Sequence, residues 1–242
     1  MTTPFPVHVL AVGAHPDDVE LGIGGLVHKL TARGFTVGLL DLSRGEMSTR
    51  GSPEERAEEA ARAAATLGVV RRENAGLPDG ALANTPEQRL DVIGFVRLFR
   101  PRMLLAPMAG DRHPDHHAAH QLVRDAAYFA GLERIDTGQE PYRPPIVYFY
   151  HPYHEDVAAP QMVVDVSEHF EAKLEALRAY ASQFHNPAYA ADETYISSAR
   201  FWETIRVRAA YWGNRIGVAY GELLCSDGPV GVDLPPGLEV GP

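Results

Sequence analysis

The 242-residue sequence predicts an α/β fold: a Rossmann-like, mostly parallel sheet covered by helices on both faces, with its site at the C-terminal ends of the strands. Three observations predict it. Apolar runs without alternation, such as VHVLAVGA at 7–14, read as strands buried on both faces. Helical segments with clear start signals alternate with these runs, as right-handed crossovers require. Nearly every cluster of ionisable residues falls just after a strand, where open α/β sheets bind ligands.

The elements follow in order. Residues 7–14 form the first strand. Residues 18–33 form a helix that stops at Gly34, a residue free to take the left-handed conformation of a helix end. Residues 35–42 are the second strand. Ser52-Pro53-Glu54-Glu55 is a capping box with proline in the first helical position, opening a helix that ends near Gly68. Residues 69–75 make a short third strand. Thr85-Pro86-Glu87-Gln88 is a second capping box, and its helix runs to Arg100 before Pro101. Residues 103–108 are the fourth strand and 116–130 the next helix, stopped at Gly131. Beyond this the pattern loosens. Residues 136–145 read as a surface loop, 146–150 and 162–166 as strands, 168–184 as one amphipathic helix and 194–213 as another. The tail after Asp227 is rich in Gly and Pro and reads as loose or packed on a neighbour. No repeat or linker divides the chain. It reads as one domain over 1–242, with a regular core over 1–135 and added strands, helices and tail over 136–242.

Composition excludes several classes of function. The net charge is −10, which argues against a nucleic-acid partner, because displacing counterions from phosphates needs basic surface. The lone cysteine, Cys225, excludes an intrachain disulfide and a cysteine-rich zinc site, and suits a reducing cytoplasm. The N-terminal apolar run contains His8, lacks a basic leader and is too short to span a bilayer. The expectation is a soluble, cytoplasmic protein without a membrane partner.

The unusual residues sit at strand ends. His15, Asp17 and Asp18 follow the first strand, Arg44 and Glu46 the second, and Asp79 the third. Asp111, Arg112, His113, Asp115 and His116 follow the fourth. Two imidazoles and a carboxylate suit Zn²⁺ and leave one position for water. The stretch HPDD at 15–18 offers a histidine and an aspartate three residues apart, and HPDH at 113–116 offers two histidines at that spacing. One aspartate is left over as a general base for a water made acidic by the metal. One histidine is left over to donate a proton or stabilise an oxyanion. Spacing alone does not decide which of His113 and His116 binds metal.

Blander readings apply to other residues. His8 and His28 read as structural, and His120 reads as a helix residue one turn beyond the cluster. Asp17 or Asp18 could be an N-cap, but a cap explains only one carboxylate. Gly22, Gly24 and Gly25 lie inside a helix and do not form a dinucleotide fingerprint. Phe95, Leu98 and Phe99 read as core.

AHPDDVE at 14–20 and HPDH at 113–116, with SRGEMSTRGSPEERAEEA at 43–60 between them, resemble the LmbE-like or PIG-L family of zinc-dependent N-acetylglucosamine deacetylases. The likeness runs from about Val7 to the region of Tyr195. DRHPDHHAA, ASQF and TYI look most like the bacillithiol-pathway branch, which deacetylates N-acetylglucosaminyl-malate. The resemblance implies one zinc ion per chain, held by His15, Asp18 and His116. It implies that Asp17 is the general base, that His113 stabilises the oxyanion, and that Asp115 orients the His113 ring. Arg56 and Arg112 match positions that bind or brace substrate, and Tyr195 one that polarises the acetyl carbonyl. A small sugar conjugate as substrate and a homo-oligomer, a hexamer among its forms, are implied too. SRGE after the second strand and Ile-Ser-Ser after Tyr195 depart from the family pattern, which leaves malate, inositol or a second sugar open as the aglycone. An Fe(II) oxygenase shares the ligand types but sits on antiparallel barrels. A non-enzymatic metal- or sugar-binding protein has no use for the spare Asp17.

Overall fold

The computed structural model describes residues 3–110, 112–150 and 162–231. Strands β1 (Val9–Gly13), β2 (Val37–Ser43), β3 (Arg71–Leu77), β4 (Met103–Pro107), β5 (Ile146–Tyr150), β6 (Met162–Asp165) and β7 (Gly221–Cys225) form one sheet in the order β3-β2-β1-β4-β5-β7-β6. The first five in that order are parallel, whereas β7 runs antiparallel to both β5 and β6. The sheet is therefore mixed at one edge. The antiparallel β7 carries no chemical cluster, and its five residues fall in none of the strands expected from the sequence.

Alternation along β1 splits the core into two layers. Val9 and Ala11 face one layer with α1 (Asp18–Ala32), α2 (Pro53–Thr66), α5 (Phe170–Arg178) and α6 (Ala199–Arg215). Leu10 and Val12 face the other with α3 (Pro86–Phe99) and α4 (Pro114–Phe129). The strand order reverses between β1 and β4. One limb of the sheet grows from β1 to β2 and β3, the other from β4 to β5. This is the switch point at which such sheets open a crevice.

Each expected capping box forms its cap bond, while the side chain that would return it goes elsewhere, Glu55 Oε2 accepting the Tyr189 hydroxyl and Gln88 Oε1 the Ala83 N–H. The Ser52 hydroxyl accepts the Glu55 N–H at 3.1 Å, and that of Thr85 accepts the Gln88 N–H at 3.3 Å. Three elements differ from expectation. Helix α4 starts at Pro114, because the His113 ring is itself the cap, accepting the Asp115 N–H at 3.2 Å. The helix expected over 168–184 is α5 alone, preceded by a 3₁₀ turn at Ser167–His169. Beyond it, Ser182 is held by the Glu59 carboxylate at 2.8 Å through N–H and 2.7 Å through Oγ, and Arg50 Nε donates to Ser182 O at 2.6 Å. These tertiary bonds outweigh the apolar periodicity, and Phe184 stays in the core without a helix. Helix α6 starts at Ala199 because Thr194 and Ser197 bond to each other in a turn and Ser198 caps the Phe201 N–H at 3.1 Å.

Helix α1 is broken at Ile23 (φ −139°, ψ 25°), and the glycines around the break pack closely, Gly22 on Tyr150, Gly24 on Lys173 and Gly25 on Val166. A Cβ on Gly22 would lie 2.5 Å from the Tyr150 ring. The freed N–H groups of Gly25 and Leu26 donate to the buried Glu222 at 3.1 and 2.7 Å. No helix among the described residues is long and apolar enough to cross a membrane.

Candidate active site

The loops after β1, β2, β3 and β4 converge on a cavity of about 270 Å³. His15, Asp17, Asp18, Met47, Arg56, Asp79, Arg112, His113, His116 and Gln183 are among its walls. A second cavity of about 230 Å³ lies behind Pro16 and α2, but its Arg72 is consumed by Asp41 and Glu20 and it holds no histidine.

Three imidazoles meet at the switch point. The rings of His15 and His113 lie 4.8 Å apart, those of His15 and His116 5.4 Å, and those of His113 and His116 4.9 Å. Nitrogen atoms of all three fall within 4.8 Å of one another. Asp18 bridges two of them: Oδ2 is 3.5 Å from His15 Nδ1 and Oδ1 is 3.1 Å from His116 Nε2. Although burial opposes ionisation of Asp18, the His116 charge and the bonds to both histidines hold its carboxyl well below the usual range.

The far side of His15 is held as well. Its Nε2 lies 3.1 Å from Asp79 Oδ1 and 3.3 Å from Asp115 Oδ2. Burial opposes a charge on this ring, but the bonds to Asp115, Asp18 and Asp79 together raise its pKa well above the ordinary value. The Asp115 carboxylate also accepts the N–H groups of Gly80 at 2.7 Å and Leu82 at 3.3 Å. It is the Asp115 N–H that holds His113, while the carboxylate reaches His15. Because His113 Nδ1 accepts that N–H, the proton of the neutral ring sits on Nε2. Burial and the neighbouring His15 and His116 charges lower the His113 pKa.

Asp17 occupies the N-cap position of α1 but makes no capping bond. Its backbone has φ +112°, a conformation that costs a non-glycine residue about 1–3 kcal/mol. The turn aims its carboxylate at Arg56, whose Nη2 is 3.1 Å from Oδ2. Burial, partly offset by the Arg56 charge and reinforced by that of Asp18, pushes the Asp17 carboxyl up to about 7. Arg56 is buried, and its guanidinium also donates to the carbonyls of Pro16 and Gly45. Gly45 (φ +69°) is glycine because a Cβ there would lie 1.9 Å from Arg56 Nη1. Arg56 thus lines the cavity while bracing Asp17 and the two loops that carry Pro16 and Gly45.

Arg112 lies at the cavity mouth, its guanidinium 4.9 Å from the centre of the exposed Tyr195 ring. His120 stands apart: Nδ1 lies 3.1 Å from Pro107 O and the ring packs on Phe149. His8 bonds Thr36 at 2.7 Å, and His28 pairs with His169 at 3.0 Å. Asp111 lies outside the described residues. Sequence reasoning placed Asp79 at a strand end without a role, and it overlooked Gln183, whose amide donates to Arg50 O at 2.7 Å on the cavity wall. Gln183 lies in the ASQF stretch that resembles the family branch, but that resemblance carried no role for it.

Comparison with known proteins follows the same lines. The family described as PIG-L, GlcNAc-PI de-N-acetylase, matches over residues 10–127. A diacetylchitobiose deacetylase from Thermococcus kodakarensis is 32% identical over 229 residues, covering 88% of this chain and 80% of its own. The chain belongs to the PIG-L deacetylase family. Another PIG-L relative, named "Probable N-acetyl-alpha-D-glucosaminyl L-malate deacetylase 2", from Bacillus anthracis, is 31% identical over 73% of this chain and 81% of its own. The crystal structure of a conserved protein from Thermus thermophilus superposes with a TM-score of 0.84 at 40% identity, covering 93% of this chain and 97% of that one. The PIG-L match spans both HPD motifs, Arg56 and Arg112, and ends before Tyr195.

Proposed function

We propose that this PIG-L family member is a zinc-dependent hydrolase that removes acetate from an N-acetylglucosaminyl conjugate. The observation that carries the reading is Asp17. A carboxylate in a strained turn, capping nothing and raised toward neutrality, stands beside a histidine–aspartate cluster on the wall of one cavity.

The cluster fits a metal by its donors. Asp18 reaches toward both His15 Nδ1 and His116 Nε2, so two nitrogens and a carboxylate crowd one point, the ligand types and number of a hydrolytic zinc site. His15, Asp18 and His116 would hold the ion. Zinc bound there would supply Lewis acidity to the acetyl carbonyl and would lower the pKa of water. The chain's own residues do the rest. Asp17, fixed by Arg56, takes a proton as water adds to the acetyl carbon. His113 donates from Nε2 to the developing oxyanion, with Nδ1 held by the Asp115 N–H. When the C–N bond breaks, the proton held by Asp17 passes to the departing nitrogen, leaving acetate and a free amine.

The aglycone leaves the cavity past Arg112 and Tyr195. An exposed guanidinium suits a carboxylate, which supports N-acetylglucosaminyl-malate. The Tyr195 face suits a neutral sugar instead, and the diacetylchitobiose deacetylase relative favours that second reading. Free amine released from malate, inositol, methyl and chitobiose conjugates of N-acetylglucosamine, with zinc and with chelator, tests both. Release from none with zinc present refutes the deacetylase reading, and the preferred conjugate decides the aglycone.

A further inference from the structure

The steps above leave Asp79 unused. It sits in the loop after β3 with its side chain only 7% exposed. Its contacts lead in two directions. Oδ1 lies 3.1 Å from His15 Nε2, while Oδ2 accepts the Met47 N–H at 2.7 Å. Its own N–H donates to Glu46 Oε1 at 2.9 Å. One carboxylate thus joins the loop after β1 to the loop after β2.

The chemistry at His15 Nε2 admits one proton position. Two carboxylate oxygens, from Asp79 and Asp115, converge on that nitrogen at 3.1 and 3.3 Å. Carboxylates only accept, so Nε2 must carry hydrogen. In the neutral ring that metal ligation requires, Nδ1 then keeps its lone pair, and Nδ1 is the nitrogen that faces Asp18. The two acids are not equivalent. Asp115 Oδ2 is shared with the Gly80 N–H at 2.7 Å, so its hold on His15 is the longer and the divided one. Asp79 Oδ1 is directed at His15 at the shorter distance.

We propose that Asp79 is a positioning residue: it fixes His15 in the Nε2–H tautomer, presents Nδ1 to the metal, and ties that ring to the loop carrying Met47. The inference rests on the reading of His15 as a metal ligand. A carboxylate behind a ligating imidazole both orients the ring and raises its basicity, and losing such a partner costs about 10–100-fold in metal affinity. Met47, 74% exposed at the cavity wall, places the other end of the tie where an aglycone would pass.

Two measurements test it. The first compares zinc affinity of wild-type and Asp79→Asn proteins by competition with a chromophoric chelator, alongside thermal unfolding of both in metal-free form. The expected result is affinity about 10–100-fold weaker in the variant, with metal-free melting points alike. Equal affinity in a wild type that binds zinc overturns this proposal alone. A wild type that binds no zinc overturns the metal reading, and this proposal with it. The second needs no variant. Long-range ¹H–¹⁵N spectra of the wild-type zinc form should show His15 protonated at Nε2 with the metal on Nδ1, and zinc on Nε2 would overturn the assignment.

Discussion

Replacing Asp17 with Asn should separate catalysis from stability. Asn keeps the size of the side chain and can accept from Arg56 through Oδ1. It also shares with Asp a tolerance of positive φ, which this position needs at +112°. It cannot take a proton. A positioned general base contributes about 10²–10⁴ in rate, so kcat should fall by about that factor with zinc retained and KM little changed. Stability should move the opposite way. Burial, outweighing the Arg56 charge, raises this carboxyl from 3.8 to about 7. An acid raised on folding is penalised in its ionised form. The penalty is full above about pH 7, shrinks as pH falls and is gone below 3.8, where both states are protonated. At about 1.4 kcal/mol per pH unit the displacement amounts to about 4 kcal/mol, a ceiling that already contains the Arg56 attraction. For a chain of this size 1 kcal/mol moves Tm by about 2–4 °C. The metal-free Asn variant should therefore melt several degrees above metal-free wild type at pH 8, with the gap narrowing toward pH 5. Elemental analysis, amine release and thermal scans in chelator read the three quantities. Near-normal kcat at full zinc occupancy refutes the role of Asp17 as base, and a variant less stable than wild type at pH 8 refutes the account of its burial.

Single alanine variants of His15, Asp18 and His116 should lose zinc by elemental analysis, whereas His120→Ala should keep it, since that ring is engaged with Pro107 O and Phe149. His113→Ala should keep zinc but lose about 10²–10³ in kcat, the worth of one oxyanion donor, and loss of metal there would make His113 a ligand instead. Arg112→Met should raise KM for the malate conjugate more than for a methyl glycoside, and equal effects on the two would detach Arg112 from the aglycone. Ser182→Ala leaves the buried Glu59 carboxylate short of a donor, so unfolding free energy should drop by about 1–3 kcal/mol in denaturant titration.

The parallel half of the fold was legible because its signals are local. Ser52 and Thr85 each carry a cap and a following proline, and β1, β2 and β4 are apolar enough to be buried on both faces. The second half was harder because its structure depends on partners distant in sequence. The chain after Arg178 has a helical apolar period, yet Glu59 and Arg50, more than a hundred residues earlier, hold Ser182 in a turn. The antiparallel strand β7 is only five residues long and is recruited between β5 and β6. At the site, motif spacing put His15, Asp17, Asp18, His113 and His116 on one cavity. It could not tell which group orients which ring. Asp115 lies two residues from His113 in sequence, yet its carboxylate turns to His15, because the helix start claims its N–H for His113.

The charge balance of the crevice binds these observations together. Among the described residues, Asp17, Asp18, Glu20, Asp41, Asp79 and Asp115 lie in or beneath it with side chains at most about 10% exposed. Arg56 and Arg72 are the guanidiniums that face them, and the His15 and His116 rings reach three of the six carboxylates, those of Asp18, Asp79 and Asp115. Arg72 is fully committed to Asp41 and Glu20, and one oxygen of Glu20 still finds no donor. Carboxylates outnumber dedicated cations, and burial, with the Asp18 charge added, pushes Asp17 up to about 7 against the pull of Arg56. A divalent ion between Asp18 and the imidazoles would supply the missing positive charge within reach of Asp17, drawing its pKa back down. The fold thus gathers more acid than its arginines can match at the point where β1 and β4 diverge. That surplus suits the place to a metal, with Asp17, held by Arg56, beside it as the base of the proposed reaction.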